Sequence, residues 1–226
     1  MLRGVIFDVD GTLVDSNEAH ARSWVDTLHE IGYEVPFDVI WPMIGMGGDK
    51  LLPSATGIDI DSELGEQLSE RRWEIFQRDY LPRLKPTPGA RDLVSRIRDD
   101  GLELIVATSA AGNEVEQLLH AARCDDLFEL KTSSSDAEDS KPDPDIVKAA
   151  VRKSRIKPEN LIMLGDTPYD VQAAIGANVK LVALLSGGWT IAELSGATAI
   201  YDDPADLLAW YEASPFAVKA LAGKGA

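Results

Sequence analysis

Residues 5–16 read VIFDVDGTLVDS, and this stretch decides the predicted fold. An apolar, β-branched run ends abruptly at Asp8 and Asp10, which is typical of a buried strand with polar residues at its carboxyl end. Because side chains alternate along a strand, we expect the two carboxylates on the same side and close together. Neighbouring carboxylates repel unless a metal ion or a shared proton relieves them, and ligands bind at this end of strands in open α/β sheets. The stretch therefore predicts a functional site.

Helix and strand patterns alternate along the rest of the chain. Helical spacing runs from residue 16 to residue 81, including predicted helices over 36–44 and 61–78, with no convincing strand. Beyond it, predicted strands at 103–107, 161–164, 179–184 and 199–201 are separated by helices. This alternation predicts an α/β fold, a doubly wound parallel sheet. We predict a core domain of residues 1–15 and 82–226 and a small helical cap domain of residues 16–81.

The amino-acid composition disfavours several classes of binding partner. The 226 residues carry 22 basic and 38 acidic side chains, a formal charge of −16, which disfavours nucleic acid and anionic membranes as partners. No run reaches the ~20 apolar residues that a membrane span needs. The first strand leaves no room for a signal peptide, and the single cysteine, Cys124, suits a reducing compartment, so we expect a cytoplasmic location. The sequence does not indicate an oligomeric state.

Three further motifs follow the first in order along the chain. Residues 104–109 read LIVATS, residues 141–144 read KPDP, and residues 161–170 read LIMLGDTPYD. With DVDGTLVDS at residues 8–16, these motifs resemble those of the haloacid dehalogenase (HAD) superfamily. The resemblance is to the phosphatase and phosphomutase branch with a cap inserted after the first strand. It implies a Rossmann-like core and Mg²⁺-dependent hydrolysis of a small phosphate monoester.

The resemblance assigns roles to the two acids of the first motif. Asp8 matches the nucleophile, which forms an aspartyl-phosphate; an ordinary Asp is already ionised at neutral pH and needs no base. Asp10 matches the general acid/base, and we expect Asp8 and partial burial to raise its pKa toward neutrality. The backbone carbonyl of Asp10 is also expected to bind the metal. An acid at this position favours phosphoryl chemistry over dehalogenation.

Later motifs supply the remaining candidates. Thr108 matches a hydroxyl that donates to a phosphoryl oxygen, and Ser109 competes for this role because a strand end is easily misjudged by one residue. Lys141 would offset the charge of Asp8 and of the phosphoryl group. Asp166 is expected to bind Mg²⁺ together with Asp8. Asp170 either caps the following helix, binds the metal, or holds Lys141.

Further candidates for substrate binding lie in glycine-containing segments. Gly11 would bring backbone N–H groups close to the phosphate, whereas Thr12 either contacts the substrate or serves the turn. In the loop of residues 45–50, Lys50 fits a lid that binds phosphate or acid, but an ordinary helix–helix turn fits as well. We expect the three histidines, His20 among them, at the surface or the core edge.

The predicted function is phosphatase action on a small phosphorylated metabolite. A phosphomutase resembling β-phosphoglucomutase stays open, because only the fate of the phosphoenzyme separates the two reactions. A non-catalytic phosphate-binding protein is a further alternative. The sequence leaves the substrate open among phosphoglycolate, a sugar phosphate and a nucleotide.

Overall fold

A parallel sheet forms the centre of the protein. A computed structural model describes residues 1–217; residues 218–226 of the predicted core lie outside the described residues. Within that range six strands pair in the order β3-β2-β1-β4-β5-β6, all parallel. The strands are β1 (Gly4–Phe7), β2 (Glu103–Ala107), β3 (Leu130–Thr132), β4 (Leu161–Gly165), β5 (Lys180–Leu184) and β6 (Ala199–Tyr201). The predicted doubly wound α/β fold is confirmed.

Helices cover both faces of this sheet. They are α1 (Asn17–Glu30), α2 (Phe37–Ile40), α3 (Gly48–Thr56), α4 (Glu63–Ile75), α5 (Ala90–Asp99), α6 (Gly112–Ala121), α7 (Asp145–Ser154), α8 (Pro168–Gly176) and α9 (Pro204–Ala209). Side chains of β1 alternate between two hydrophobic clusters: Val5 and Phe7 pack with α5, α6 and α9, and Ile6 packs with α7 and α8. Burial on both faces explains why β1 reads as a continuous apolar run.

The interval between β1 and α5 has a hydrophobic cluster of its own. Helices α1 to α4 pack around Trp24, Leu28, Leu51 and Leu68. Phe76, although it lies inside the interval predicted as a cap, belongs to the main core cluster. The division into a cap domain of residues 16–81 and a core domain stays a prediction, and the words cap and core denote residues 16–81 and the rest of the described chain.

Three local predictions need correction. The predicted helix at 36–44 is the short α2 followed by a 3₁₀ turn, Trp41–Met43, and the one at 61–78 ends at Ile75 and continues as a π turn, Phe76–Tyr80. Strand β3 was not predicted. Its three residues, Leu130–Thr132, are too few for a period-two pattern to be visible.

Strand order brings the first and last motifs together. The order reverses between β1 and β4, which are direct neighbours, and the Asp8 N–H donates to the Leu164 carbonyl at 2.9 Å. Such a switch point leaves a crevice at the carboxyl ends of the strands, where ligands bind. No helix within residues 1–217 combines the length and apolar character needed to cross a bilayer.

We predict that Ile6→Ala lowers the free energy of unfolding by about 2–5 kcal/mol, because it removes buried methyl groups from the centre of the sheet. Chemical denaturation measures the effect. Ile191→Ala is the matched control: Ile191 is 64% exposed, so its truncation should change stability by less than about 0.5 kcal/mol. Equal losses for both variants would contradict the packing described for β1.

Candidate active site

Three carboxylates meet at the carboxyl end of the sheet. Asp8 follows β1, Asp166 follows β4, and Asp170 lies in the first turn of α8. All three are buried, and each offers an oxygen within 4.8 Å of the others. Carboxylate oxygens are the donors that hard divalent cations prefer, so this cluster is a candidate metal centre.

Asp166 is held from several sides. The Thr12 hydroxyl donates to Oδ1 at 2.7 Å, and the Asn17 amide donates to Oδ2 at 2.9 Å. Gly11 has φ +72°, and a Cβ there would lie 2.2 Å from Asp166 Oδ2, so the site requires glycine for both reasons. The Asn17 contact was not predicted, because an Asn at the start of a helix carries no sequence signal for a partner 149 residues away.

Thr12 therefore orients Asp166 of the candidate metal centre, and Gly11 leaves space for it. The Gly11 N–H donates to the Val14 carbonyl at 2.8 Å, so it is engaged in the turn. The Thr12 hydroxyl is engaged by Asp166, and neither residue lines the cavity described below. Their predicted contacts with substrate have no support in this geometry.

Lys141 lies between two of the carboxylates. Its buried ammonium group contacts Asp8 Oδ1 and lies 2.7 Å from Asp170 Oδ1. Burial disfavours the charged ammonium, but Asp170 and Asp8 outweigh it and raise the pKa of Lys141 above its ordinary value. Lys141 is thus a fixed positive charge beside the candidate nucleophile.

Asp170 serves the helix and the site together. Its Oδ2 accepts from the Thr167 N–H at 3.0 Å, the Thr167 hydroxyl at 2.7 Å and the Asp166 N–H at 3.2 Å. The Thr167 hydroxyl in turn accepts from the Asp170 N–H, which completes a capping box. With Oδ2 engaged in the cap, Oδ1 is the oxygen that faces Lys141.

Charge balance in the cluster favours a cation. With all three carboxylates ionised, the cluster and the Lys141 ammonium together carry two net negative charges. Burial raises the pKa of Asp8 to about 8, against the lowering effect of Lys141 and with a further increase from Asp170. This corrects the expectation that Asp8 has the ionisation of an ordinary Asp. Burial, then Asp170 and Asp8, likewise raise the pKa of Asp166. A bound divalent ion would supply the two missing positive charges, so these residues fit one.

Asp10 has partners outside the three-carboxylate cluster. Its Oδ1 accepts from the Ser16 hydroxyl and lies 2.8 Å from His20 Nε2. Burial acts to raise the pKa of Asp10, but His20 and the Ser16 hydrogen bond outweigh burial and hold it below the ordinary value. The expectation of a raised pKa at Asp10 is wrong in this structure, because the sequence did not reveal these two partners.

A chain of contacts extends from Asp10 into the cap. His20 Nδ1 lies 3.3 Å from an Arg72 Nη1, and Arg72 Nη2 donates to Glu114 Oε1 at 2.9 Å. Because arginine only donates, Nδ1 must be the acceptor, and Nε2 then carries the proton that is donated to Asp10. His20 also stacks on Phe76, with ring centroids 4.2 Å apart. His20 is thus part of the site, whereas it was predicted at the surface or core edge.

A cavity of about 350 Å³ opens over Asp8 and Asp10. Cap residues form one wall, among them His20, Trp24, Arg72 and the loop of residues 44–49. Core residues from the segments 108–111 and 134–140 form the other wall. Its size suits a small metabolite, because pockets for such ligands begin at about 300 Å³.

Both candidate hydroxyls line this cavity. Thr108 is 1% exposed, and its Oγ1 accepts from the Ala110 N–H at 3.1 Å, which leaves its own proton to donate. The Ser109 Oγ is buried and has no hydrogen-bond partner among the described residues. The geometry therefore keeps both residues as candidates.

Lys50 lies outside the cavity wall and joins the cap to the core. Its ammonium group lies 2.8 Å from Asp139 and 2.8 Å from Asp143, in the loop that carries Lys141. Next to it, the side chain of Asp49 accepts hydrogen bonds from Ser140. Lys50 is thus engaged by two carboxylates of the core, and the geometry does not support its predicted contact with substrate.

Comparison with known proteins places this chain in a family. A family model described as haloacid dehalogenase-like hydrolase matches residues 5–184. The phosphoglycolate phosphatase of Nitrosospira multiformis is 31% identical over 181 residues, which cover 78% of this chain and 80% of that protein. The crystal structure of a hydrolase from Pseudomonas syringae is similar with a TM-score of 0.87 and 31% identity, over 93% of this chain and 98% of that one.

A phosphomutase shares the same architecture. The β-phosphoglucomutase of Clostridium difficile is similar with a TM-score of 0.79 over 90% of this chain and 92% of that one. At 18% identity this similarity concerns the fold alone. The architecture is therefore common to hydrolases and mutases.

We predict that Gly11→Ala weakens metal binding and destabilises the protein, because its Cβ would collide with the Asp166 carboxylate. Titration calorimetry with Mg²⁺ and chemical denaturation measure the two effects. Gly32→Ala is the matched control: Gly32 has φ +80° but no atom within 4 Å of a Cβ, so only the backbone cost of about 1–2 kcal/mol is expected. Unchanged metal affinity in Gly11→Ala would contradict the role given to this glycine.

Proposed function

Because the chain belongs to the haloacid dehalogenase-like hydrolase family and is a phosphoric monoester hydrolase, we propose that it is a Mg²⁺-dependent phosphatase that forms a phosphoenzyme at Asp8. One observation carries the proposal: the buried Asp8 carboxylate contacts Lys141 and belongs to the three-carboxylate cluster below the cavity. Phosphoryl transfer depends mostly on positioning and on neutralising charge, and this arrangement supplies both.

The first step transfers the phosphoryl group to the protein. An oxygen of Asp8 attacks phosphorus, the bond to the alcohol oxygen breaks, and Asp10 donates a proton to that oxygen. Lys141 and the hydroxyls of Thr108 and Ser109 stabilise the negative charge on the phosphoryl oxygens. Since Asp10 rests as a carboxylate beside His20 and Ser16, the proton it donates comes from solvent in the first turnover and from the second step in later ones.

The second step regenerates the free carboxylate of Asp8 and leaves on Asp10 the proton that the next turnover needs. Asp10 takes a proton from a water molecule, the water oxygen attacks phosphorus, and the bond to Asp8 breaks to release inorganic phosphate. Mg²⁺ held by the carboxylates of Asp8, Asp166 and Asp170, and by the Asp10 carbonyl, would neutralise the charge that accumulates on the phosphoryl group. The two uncompensated charges of the carboxylate cluster support this metal assignment.

A phosphomutase is the second candidate. The fold similarity to a β-phosphoglucomutase and the cavity enclosed between cap and core are compatible with transfer to a sugar hydroxyl. A non-catalytic phosphate-binding protein has no support, because the matching family model describes hydrolases.

We also propose a cytoplasmic location, in keeping with a single free, buried cysteine and a small phosphorylated metabolite as substrate.

We predict that Asp8→Asn lowers phosphate release from p-nitrophenyl phosphate by at least about 10³-fold, because an amide cannot act as the nucleophile. Activity of the unaltered protein should require Mg²⁺ and disappear in EDTA. Asp61→Asn, at an exposed cap position, is the matched control and should retain full activity. Turnover by a folded Asp8→Asn variant would contradict the proposed nucleophile.

A second prediction compares the two lysines. Lys141→Met should lower kcat by at least about 10²-fold, because its charge lies beside the reacting group. Lys50→Met should change kcat and KM by no more than about threefold, because partly exposed ion pairs contribute little. Circular dichroism checks that both variants fold. A large rise in KM for Lys50→Met alone would return Lys50 to the substrate-binding residues.

A further inference from the structure

The charged side chains in the part of the cavity wall that lies away from Asp8 affect which substrates can bind. Among the described residues that line the cavity, Arg72 is the permanent cation, and it is already paired with Glu114 at 2.9 Å. Both partners are nearly buried, with 13% and 7% of their side chains exposed. The neighbouring Lys50 is engaged by Asp139 and Asp143.

Within residues 1–217, this wall offers a second anionic group on the substrate no cation whose charge is uncompensated. The Arg72 Nε has no hydrogen-bond partner among the described residues but is buried, so a carboxylate placed at Arg72 has to displace Glu114 from Nη2 or lie close to it. Displacement leaves a buried, unpaired carboxylate, and close approach sets two like charges together. Either outcome weakens binding of an ester whose alcohol part is anionic.

The same wall suits hydroxyl groups. Asp49, Glu114 and Glu138 line it, and an ionised carboxylate can only accept hydrogen bonds. Ser69 and Ser134 add hydroxyls, and the Trp24 ring adds an apolar face. Acceptors beside an aromatic ring match a compact molecule with several hydroxyl groups.

Resting on the phosphatase function proposed above, we infer that the substrate is the phosphate ester of a neutral sugar or polyol. Esters whose alcohol part carries a carboxylate or a second phosphate are rejected by the Glu114–Arg72 pair and the acidic wall. The selectivity is thus opposite to the one that the name of the Nitrosospira multiformis relative implies.

Pairs of esters that differ in one charge test this inference. The first pair is 2-phosphoglycolate and its isosteric neutral amide; the second is 3-phosphoglycerate and glycerol 3-phosphate. With Mg²⁺ and the unaltered protein, kcat/KM should be at least about tenfold higher for the neutral member of each pair. Equal values, or a preference for the carboxylates, would overturn the inference and leave the phosphatase proposal standing.

Glu114→Gln tests the cause of the selectivity. Freeing Arg72 should raise kcat/KM for the two carboxylates relative to their neutral partners by about tenfold. Glu116→Gln is the matched control on the same helix: Glu116 is exposed, pairs with Lys131 at 2.7 Å, and should leave the ratios unchanged. An unchanged ratio in a folded Glu114→Gln variant would refute the role of the Glu114–Arg72 pair.

The substrate test does not depend on the variant. If Glu114→Gln does not fold, the ratios measured on the unaltered protein decide the substrate class alone. Absence of release from every ester and from p-nitrophenyl phosphate, with Mg²⁺ and folded protein, would refute the phosphatase function and the inference together. That result differs from a carboxylate preference, which refutes the inference alone.

Discussion

The rest of the site depends on the two ion pairs that the buried ammonium group of Lys141 forms. The ammonium group joins Asp8, at the end of the central strand, to Asp170, in the first turn of α8. Without it, three buried carboxylates would repel one another, and no other cationic side chain within residues 1–217 forms an ion pair with them. The surrounding residues hold these charged groups in place. The capping box orients Asp170. Asp166 is oriented by hydrogen bonds from Thr12 and Asn17 and occupies the space that Gly11 leaves.

Cap and core are connected through charged contacts that border the chemistry. One set runs from Glu114 in the core through Arg72 and His20 in the cap to Asp10. The other joins Lys50 of the cap to the loop that carries Lys141. The first set uses Arg72, which lines the cavity, whereas the second uses Lys50, which lies outside the cavity wall. In the proposed selectivity, the Glu114–Arg72 contact between core and cap also disfavours anionic leaving groups.

Prediction from sequence succeeded where a local pattern determines the structure. The residues of β1 are buried on both faces of the sheet, so the sequence itself shows a continuous apolar run with a polar end. Prediction failed for β3, which is too short for a period, and for His20, whose surroundings come from distant segments. Lys50 shows the same limit. In the sequence, a lysine in a glycine-rich loop fits a phosphate-binding lid as well as an ordinary helix–helix turn. Only the structure shows Asp139 and Asp143 paired with it.

By itself, the sequence determined the α/β class, the order of the motifs and the acids, lysine and hydroxyls that compose the candidate site. These follow from local periodicity and from residue chemistry, which do not require long-range contacts. Tertiary structure alone decided the partners of each group: Thr12 and Asn17 on Asp166, His20 on Asp10, and Glu114 on Arg72. The physical reason is that charge and hydrogen bonding act through space, between residues up to 154 positions apart along the chain.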